Sequence, residues 1–445
     1  MGVVFHLGKP HASFAHSIKA GHSERRPGTK GPRVLIILPP MNDPIYLDHA
    51  ATTRVSPSVA ATMMRALGDE YGNPSSRHPL GSNASASIEE ARRAVASSLG
   101  TRSEGVLFTS GGTEANNLAV IGFARALRRG KPGTPSGHIL IGPTEHPSIR
   151  ASAASLTEEG FEVEVMQLAR SDKRGSLDIV DAAARMREDT VFVAQMLVNN
   201  EYGTRYDIAR LSRAIAARAP KAHLHVDAVQ ALGKIELDPA GLVDRAVSSS
   251  FSLSAHKIHG PKGVGALVLS NACLDAKRLP LPIIHGGGQQ GDVRPGTENV
   301  PGIMGFGAAI AAATHDFEAT GKALVTARKA LESALTEFVP GVRVLIPWSD
   351  DQTATMAPQV VSILVPGAPS EVWLHHLEEL GVYASAGSAC QAKKHELSPA
   401  LLALGLTSEE ARRVLRFSFS SSTTAEDCTE AARRMASVSS ALAHL

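Results

Sequence analysis

One of the three cysteines of this chain lies in a run of very small residues. The segment "YASAGSACQAKKHE" places Cys390 after alanine, glycine and serine and before Lys393 and Lys394. A flexible, weakly packed backbone is a poor environment for a buried structural thiol. Neighbouring cations lower the pKa of a thiol and favour the reactive thiolate. The segment therefore indicates either a reactive nucleophile or a bystander in a loop, and other residues must decide between them.

Glycines and polar side chains follow two apolar segments that we predict to be strands. "FTSGGTEANN" places Gly112 and Thr113 between a strand and a helix, where glycine allows close backbone approach and free N–H groups bind phosphate. "FSLSAHKIHGPKG" places Ser254 and His256 at the end of another strand, where a hydroxyl and an imidazole can bind an anion. Taken alone, a Gly-Gly turn before a helix is commonly only a turn. Together the two segments predict an anion site.

An acid and a lysine also lie at predicted strand ends. In "HVDAVQALGK", Asp227 ends an apolar strand and Gln230 follows three residues later. A carboxylate there is unfavourable without a cationic partner, although many such aspartates only cap helices. Lys257 directly follows His256; a sheltered lysine can form a Schiff base, whereas most lysines are solvated. A phosphate cradle, an acid for a ring nitrogen and a Schiff-base lysine are together the equipment for pyridoxal phosphate.

The elements that must position these residues alternate between helix and strand from residue 56 to about 270. Short apolar runs such as "GVLFTS" and "TVFVAQMLVNN" are separated by stretches with helical spacing, such as 82–100 and 113–130. Apolar strands that alternate with helices predict a largely parallel sheet covered on both faces. Ligands of such a sheet collect at the carboxyl ends of its strands, which is where the candidate residues lie.

The pattern changes towards the C-terminus. An Ala-rich stretch over 299–340 predicts a long helical segment, and "VRVLIP", "QVVSILVPG" and "RVLRFSFS" predict strands mixed with further helices. We therefore predict an α/β fold with a large cofactor-binding domain over 61–300 and a smaller α+β domain over 301–445. Residues 41–60 would form the N-terminal part of the small domain.

Composition places the chain among globular proteins. Hydrophobic residues make up 43% and charged residues 20% of its 445 residues, and the formal net charge is +2. So small a charge gives no electrostatic case for nucleic acid or an anionic membrane, and no apolar run is long enough to span a bilayer. The three cysteines suggest neither a disulfide framework nor a metal site, which indicates a reducing, cytoplasmic compartment.

Residues 1–40 differ from the rest of the chain. Glu24 is their only acid among several lysines, arginines and histidines. The stretch "RVLIILPP" is short and interrupted by prolines, so it makes a weak targeting signal. We expect a disordered extension, or an upstream start that precedes a true start at Met41.

Several short motifs follow one another in the order of a known family. They are "YLDHAATT", "GNPSS", "TSGGTEANN", "EHPSI", "VNNEYG", "HVDAVQALGK", "SAHKIHGPKGVGAL", "GGGQQGDVRPGTEN" and "SAGSAC". With these motifs the chain closely resembles cysteine desulfurases of the NifS/IscS type, including selenocysteine lyases, in the class V aminotransferase group of fold-type I pyridoxal-phosphate enzymes. The resemblance runs from residue 46 to the C-terminus, roughly nine tenths of the chain. It implies a mostly parallel, seven-stranded sheet in the large domain.

The resemblance assigns roles around the cofactor ring. Lys257 matches the lysine that forms the Schiff base and moves protons at the substrate. Asp227 matches the partner of the pyridine nitrogen, and Gln230 matches the residue that hydrogen-bonds the ring hydroxyl. His146 matches the histidine that stacks on the ring and serves in acid–base chemistry. Read singly, each has a structural alternative, such as a core histidine for His146.

The resemblance also assigns the phosphate and the substrate carboxylate. The residues that would hold the phosphate are Gly112, Thr113, Ser254, His256 and, from the second subunit of a homodimer, Thr297. Asn200, beside the cofactor, and Arg416 match the pair that binds the substrate carboxylate, a task that suits the planar guanidinium. Singly, Asn200 also reads as a turn residue and Arg416 as a strand arginine with a surface partner. We expect His49, in "LDHAATT", to be structural.

Cys390 matches the catalytic cysteine of the family, on a loop of the small domain. The resemblance implies that L-cysteine is converted to L-alanine and that the sulfur stays on Cys390 as a persulfide. Its acceptor would be an iron–sulfur scaffold protein, a tRNA-thiolation relay or a small thiol. Selenocysteine lyase, cysteine-sulfinate desulfinase, aminotransferase and a non-catalytic relative stay open as alternatives.

Two segments depart from the pattern of the family. Small serine, threonine and glycine residues commonly follow the catalytic cysteine, whereas "QAKK" follows Cys390 here. Ser420 and Ser421 stand where the family often has Gly-Arg. Neither change removes a residue that desulfuration requires, and the first bears on the loop and its sulfur acceptor. We expect the other two cysteines, Cys273 and Cys428, to be structural.

Overall fold

The computed structural model describes residues 43–128, 136–170, 175–237, 239–387 and 397–442. Its strands are β1 Ile45–Tyr46, β2 Val106–Thr109, β3 Gly137–Ile141, β4 Phe161–Val165, β5 Thr190–Met196, β6 His223–Asp227, β7 Ser249–Ser254, β8 Gly265–Leu269, β9 Arg343–Val344, β10 Val360–Leu364, β11 Val382–Tyr383, β12 Ser385–Ala386 and β13 Val414–Ser418. Its α-helices are α1 Pro57–Gly68, α2 Pro79–Ser98, α3 Gly112–Asn117, α4 Phe123–Ala126, α5 Pro147–Ser155, α6 Ile179–Arg185, α7 Ile208–Arg218, α8 Pro239–Leu242, α9 Asn271–Asp275, α10 Val300–His315, α11 Phe317–Phe338, α12 Ser370–Glu379, α13 Pro399–Ala403, α14 Ser408–Ala411 and α15 Ala425–Leu442. Within the described ranges, no helix is both long and apolar enough to cross a membrane.

Seven strands form the larger sheet, in the order β2-β8-β7-β6-β5-β3-β4. Neighbouring strands from β7 to β4 run parallel, whereas β8 is antiparallel to both of its neighbours. All seven residues of β5 are buried, as expected of a strand whose sheet is covered on both faces. The predicted α/β fold with a mostly parallel, seven-stranded sheet is confirmed.

A second, antiparallel sheet has the order β12-β13-β10-β9, and β1 pairs with β11 beside it. After β1 the chain crosses from this sheet to the larger one. Asp48 forms a bridge with Ser418 at the end of β13, and five residues later Thr53 N donates to His256 O at 2.9 Å. Residues 50–53 therefore lie against the turn after β7, where several candidate residues were predicted.

The Ala-rich stretch after residue 299 forms two helices rather than one. α10 ends at His315, and Asp316 has φ −96° and ψ 16° before α11 begins at Phe317. α10 packs against α1 and α2, whereas α11 packs against α15 in a different hydrophobic core. Gly307 permits the close approach to α2, because a Cβ there would lie 2.8 Å from Ala91 Cα. The break at Asp316 allows α10 and α11 to pack into different hydrophobic cores.

Candidate active site

The turn between β2 and α3 leaves room for an anion. Gly111 has φ +151°, which L side chains rarely adopt, and α3 begins at Gly112. A Cβ at Gly111 would meet nothing closer than Ser254 Oγ at 4.0 Å, so the space between this turn and the end of β7 is open. Thr113, in the first turn of α3, is exposed. The structure thus brings Gly112, Thr113 and Ser254 to one place.

An ion pair fixes this turn. Arg294 Nε donates to Glu114 Oε1 at 2.8 Å, and Glu114 Oε2 accepts from Ser110 N at 2.6 Å. Burial acts to raise the pKa of Glu114, but the hydrogen bonds from Arg294 and Ser110 outweigh it, and the pKa is lowered. The carboxylate therefore stays charged and holds Ser110 at the edge of the open space. The sequence patterns did not single out this pair.

His256 lies beside the same space, in the turn that follows β7. Its Nδ1 is 3.1 Å from Thr52 Oγ1. Burial, and then the charges of Lys257, Lys262 and Lys234, lower the pKa of His256 to about 4. The imidazole is therefore neutral at pH 7 and has one N–H to donate.

Asp227 ends β6 with its carboxylate buried and supplied with N–H donors. Asn116 Nδ2 donates to Oδ2 at 2.8 Å, and Val229 N donates to Oδ1 at 3.0 Å. The residue is 6% exposed. Both donors are neutral amides, so a protonated ring nitrogen would supply the positive charge that a buried carboxylate needs.

His146 is the N-cap residue of α5 and shares a partner with Asp227. Ser148 N donates to His146 Nδ1 at 3.2 Å, and Ser148 Oγ lies 2.8 Å from the same nitrogen. Because Nδ1 accepts, the neutral ring carries its proton on Nε2. Burial lowers the pKa of His146, and the positive charge of Lys257 lowers it further. The negative charge of Asp227 acts to raise this pKa but does not outweigh burial. Asn116 Nδ2 also donates to Ser148 Oγ, at 2.9 Å, so one amide joins the two predicted residues.

Lys257 reaches from the turn after β7 to the N-terminal segment. Its Nζ donates to Ala50 O at 2.6 Å and to Ala51 O at 2.8 Å. Gln230 Nε2 donates to the same Ala50 carbonyl at 3.0 Å. The motif "LDHAATT" therefore orients two predicted site residues through its backbone. His49, in that motif, is buried with its ring edge-on to Tyr46.

A second lysine lies in this group. Lys234 is buried, and its Nζ donates to Gln230 Oε1 at 3.3 Å. Burial, and secondarily the charge of Lys257, lowers the pKa of Lys234 to about 7. Lys234 is therefore expected to gain or lose its proton near neutral pH. Gln230 connects it to the Ala50 carbonyl, which also accepts from Lys257.

We expect the Lys234→Met variant to unfold less readily than the parent at neutral pH. The pKa of Lys234 is about 7 in the fold and about 10.4 in an unfolded chain, so between these values the unfolded chain binds the extra proton. The parent's free energy of unfolding therefore rises with pH across this window. The advantage of Lys234→Met, on the order of 4 kcal/mol near pH 7 and below, should shrink towards pH 10.

Denaturant titrations of both proteins between about pH 6 and about pH 10 measure this difference. The exposed Lys221→Met variant is the control, and its difference from the parent should not vary in this way. A stability difference for Lys234→Met that does not change with pH would contradict the lowered pKa of the buried lysine.

The structure also brings Arg416 and Asn200 together. Arg416 Nη1 donates to Asn200 O at 3.0 Å, and Nη2 donates to Asp48 Oδ1 at 2.8 Å. Arg416 is buried, and its Nε has no hydrogen-bond partner among the described residues. Asp48 balances the guanidinium charge. A guanidinium is suited to binding a carboxylate, and the binding of a substrate carboxylate by Arg416 stays a prediction.

Two predicted site residues are not placed in this group by the described chain. Cys390, with Lys393 and Lys394, lies outside the described residues. Thr297 is described and exposed, and its contact with a second subunit stays a prediction.

The described residues on either side of 388–396 converge on Glu201. Ser398 Oγ donates to Glu201 Oε2 at 2.5 Å, and a Cβ at Gly387 would lie 3.7 Å from that oxygen. Burial raises the pKa of Glu201, against the hydrogen bond of Ser398 and the charge of Arg416. Gly387 and Ser398 therefore both lie near Glu201, which adjoins Asn200.

The other two cysteines are unsuited to nucleophilic chemistry. Cys273 and Cys428 are buried, and burial raises their pKa to about 11 and about 12. Both thiols stay protonated at neutral pH, as expected of structural cysteines.

Comparison with known proteins assigns the chain to a family. Residues 45–430 match the model of the class-V aminotransferases. The chain belongs to this family. A cysteine desulfurase from a Frankia species is 38% identical over 398 residues, which cover 87% of this chain and 89% of that protein. A cysteine desulfurase IscS from Dictyoglomus turgidum is 35% identical over 387 residues, which cover 87% of this chain and 92% of that protein.

A solved structure described as a NifS-like protein has the same fold, with a TM-score of 0.78 and 30% identity over 90% of this chain and all of the other. The class-V aminotransferase family uses pyridoxal phosphate, and this chain is an enzyme of that cofactor class. Its described residues fit the cofactor. The open turn at Gly111 suits the phosphate, the buried Asp227 carboxylate suits a ring nitrogen, and the neutral His146 ring suits stacking.

Sequence patterns alone did not indicate three polar residues of the site. These are Asp48, Asn116 and Lys234, which contact Arg416, Asp227 and Gln230 respectively. Their position inside the family motifs is the one signal that pointed to them. Each of the three contacts a predicted site residue and none was assigned a contact with the cofactor. The chemistry of the cofactor therefore gives no reason to predict them.

Proposed function

We propose that this enzyme converts L-cysteine to L-alanine and takes the sulfur on Cys390 as a persulfide. The Cβ–S bond of the substrate breaks, its electron pair stays on carbon and is protonated, and the sulfur bonds to Cys390 Sγ. The convergence of Lys257, His146 and Asp227 at the strand ends supports this proposal most. Relatives that cover most of the chain are named cysteine desulfurases, which supports the choice of substrate.

The residues of this site divide the work. Bound pyridoxal phosphate supplies an electron sink for negative charge at the substrate carbon. Lys257 moves protons at the substrate, and His146, neutral with its proton on Nε2, lies beside the reacting group. Arg416 and Asn200 bind the substrate carboxylate, for which Arg416 Nε is suited because it has no hydrogen-bond partner among the described residues. Gln230 hydrogen-bonds the ring hydroxyl.

The phosphate and the subunit arrangement are part of the same proposal. The phosphate is held by Gly112, Thr113, Ser254, His256 and, from a second copy in a homodimer, Thr297. The exposure of Thr297 is compatible with that contact. We place the enzyme in the cytoplasm, where an iron–sulfur scaffold protein accepts the sulfur from Cys390.

Removing the thiol of Cys390 tests the function directly. Alanine release from L-cysteine by the Cys390→Ala variant should fall at least about tenfold, because the sulfur loses its nucleophilic acceptor. Release from L-selenocysteine and L-cysteine sulfinate should stay close to that of the parent, since these substrates lose their heteroatom with less help from a thiol. Assays of alanine and of released sulfur or selenium measure both effects.

The other cysteines provide the matched controls for this assay. Cys273→Ala and Cys428→Ala each remove one buried thiol and should act on L-cysteine like the parent. Equal activity of Cys390→Ala and parent on L-cysteine would overturn the proposed role of Cys390. If the parent enzyme acts on selenocysteine or cysteine sulfinate far better than on cysteine, the enzyme is instead a selenocysteine lyase or a cysteine-sulfinate desulfinase.

A further inference from the structure

Two buried histidines lie on the same strand face as Asp227. His223, His225 and Asp227 alternate along β6, so their side chains point to one side of the sheet. His223 Nδ1 is 2.9 Å from Ser248 Oγ, and His223 Nε2 is 2.9 Å from Ser250 Oγ. The same Ser250 oxygen is 2.9 Å from His225 Nδ1. Both histidines and Ser250 are fully buried, so these polar groups depend on one another for hydrogen bonds.

Asn116 connects this row to the carboxylate. His225 Nε2 lies 3.0 Å from Asn116 Oδ1, and Asn116 Nδ2 donates to Asp227 Oδ2 at 2.8 Å. The contacts therefore form one continuous chain from Ser248, beside the start of β7, to Asp227 at the end of β6. Every contact in this series joins two side chains, and none involves the backbone.

The carboxylate fixes the position of every proton in this chain. An ionised Asp227 only accepts, so Asn116 must present its amide nitrogen to it and its oxygen to His225. His225 then donates from Nε2, and its bare Nδ1 must accept from the hydroxyl of Ser250. Ser250 has one proton, so it accepts from Nε2–H of His223. Every donor in the chain thus points towards Asp227.

The surroundings of the histidines agree with this order, which requires both rings to be neutral. Burial, and then the charges of His225 and Arg278, lower the pKa of His223 well below its usual value. Burial lowers the pKa of His225 to about 4, although the charge of Asp227 acts to raise it. The His223 ring is stacked on Phe123 with 3.6 Å between ring centroids, an apolar contact that suits an uncharged imidazole.

We propose that His225 and Asn116 are positioning residues, which hold the Asp227 carboxylate aimed at the ring nitrogen of the cofactor. Bonds aligned in one direction polarise one another, so the chain strengthens the last donor to Asp227. The reverse order of protons is also self-consistent, but it requires a proton on Asp227, which would remove the charge that the ring nitrogen needs. An Asp227 carboxylate that pairs with the ring nitrogen is therefore compatible with only one direction of the donors.

This proposal rests on the pairing of Asp227 with the cofactor ring and is independent of the substrate and of Cys390. Neutron diffraction of the unaltered holoenzyme tests it without any variant or activity. We expect deuterium on Nε2 and none on Nδ1 of both His223 and His225, and the amide ND2 of Asn116 facing Asp227. A proton on Nδ1 of either histidine, or the reversed amide, would overturn it. Failure of the proposed desulfuration would leave this result unchanged.

Cofactor retention provides the second test. His225→Phe removes the donor to Asn116 and should raise the dissociation constant of pyridoxal phosphate about tenfold, because the amide is left unsatisfied and free to turn. His225→Gln should restore retention to within about twofold of the parent, since its amide donates to Asn116 and its oxygen accepts from Ser250. Equilibrium dialysis, followed by the visible absorption of the bound cofactor, measures both.

The matched control for this test is His138→Phe. His138 is equally buried in the same sheet, on β3, and bonds Thr190 Oγ1 rather than the chain to Asp227. If the loss of cofactor comes from breaking the hydrogen bonds between Ser248 and Asp227, His138→Phe should retain the cofactor like the parent. Equal loss in His138→Phe and His225→Phe, or failure of His225→Gln to restore retention, would reduce the chain to a structural feature of the core.

Discussion

Replacing Lys257 by alanine should lower the rate of alanine formation from L-cysteine by about 10³-fold or more. In our proposal the positioned amine moves the protons at the substrate, and such a group contributes about 10²–10⁴-fold. The loss of its covalent bond to the cofactor adds to this effect. Steady-state assays of alanine release measure the rate. Absorbance spectra of the purified variant show whether the cofactor is still attached.

Lys262→Ala is the control for this prediction. Lys262 belongs to the same "HKIHGPKG" segment but is exposed, so its removal should change the rate by less than about threefold. Added small amines should partly restore Lys257→Ala, because they replace the missing base, and should not affect Lys262→Ala. Full activity of Lys257→Ala would show that another group moves the protons, and the buried Lys234 would then be the first candidate.

The strand pattern predicts the convergence of Asp227 and Lys257 for a simple reason, and the family resemblance adds His146 to them. Parallel strands end at one edge of their sheet, so residues that end or follow β6, β7 and β3 are brought together although they are far apart in the chain. Hydrophobic runs predict where the strands lie. The polar residues that follow parallel strands are then predicted to lie at the same edge of the sheet. This is why the fold and the main site residues can be predicted together.

The contacts that hold these residues do not follow from the strand pattern. Lys257 and Ala50 are 207 positions apart, and Asn116 and Asp227 are 111 apart. Such bonds depend on how a loop or a helix packs on the sheet edge, and no local periodicity encodes that packing. The same holds for the break at Asp316, where the helical composition continues but the two halves face different cores. Long-range packing therefore determines the part of the site that the sequence leaves open.

Replacing Asp227 by asparagine should lower kcat by about 10²–10³-fold, the loss expected when a preorganised electrostatic group is removed from a buried site. Asparagine has the same size but carries no charge, so it cannot hold a proton on the ring nitrogen. It also cannot accept both of the present hydrogen bonds, because one of its two terminal atoms is a donor that would face Asn116 or Val229. The rate of alanine release at saturating substrate measures the effect.

Asp207→Asn separates loss of charge in the site from loss of a carboxylate elsewhere. Asp207 caps α7 by accepting from Arg210 N, and an asparagine oxygen can accept the same bond. This variant should therefore keep kcat within about twofold of the parent. If Asp227→Asn also kept its rate, the buried carboxylate would not be the partner of the ring nitrogen. The chain of donors from Ser248 to Asp227 would then have only a structural role, so the rate of this one variant bears on both the cofactor site and the network that supports it.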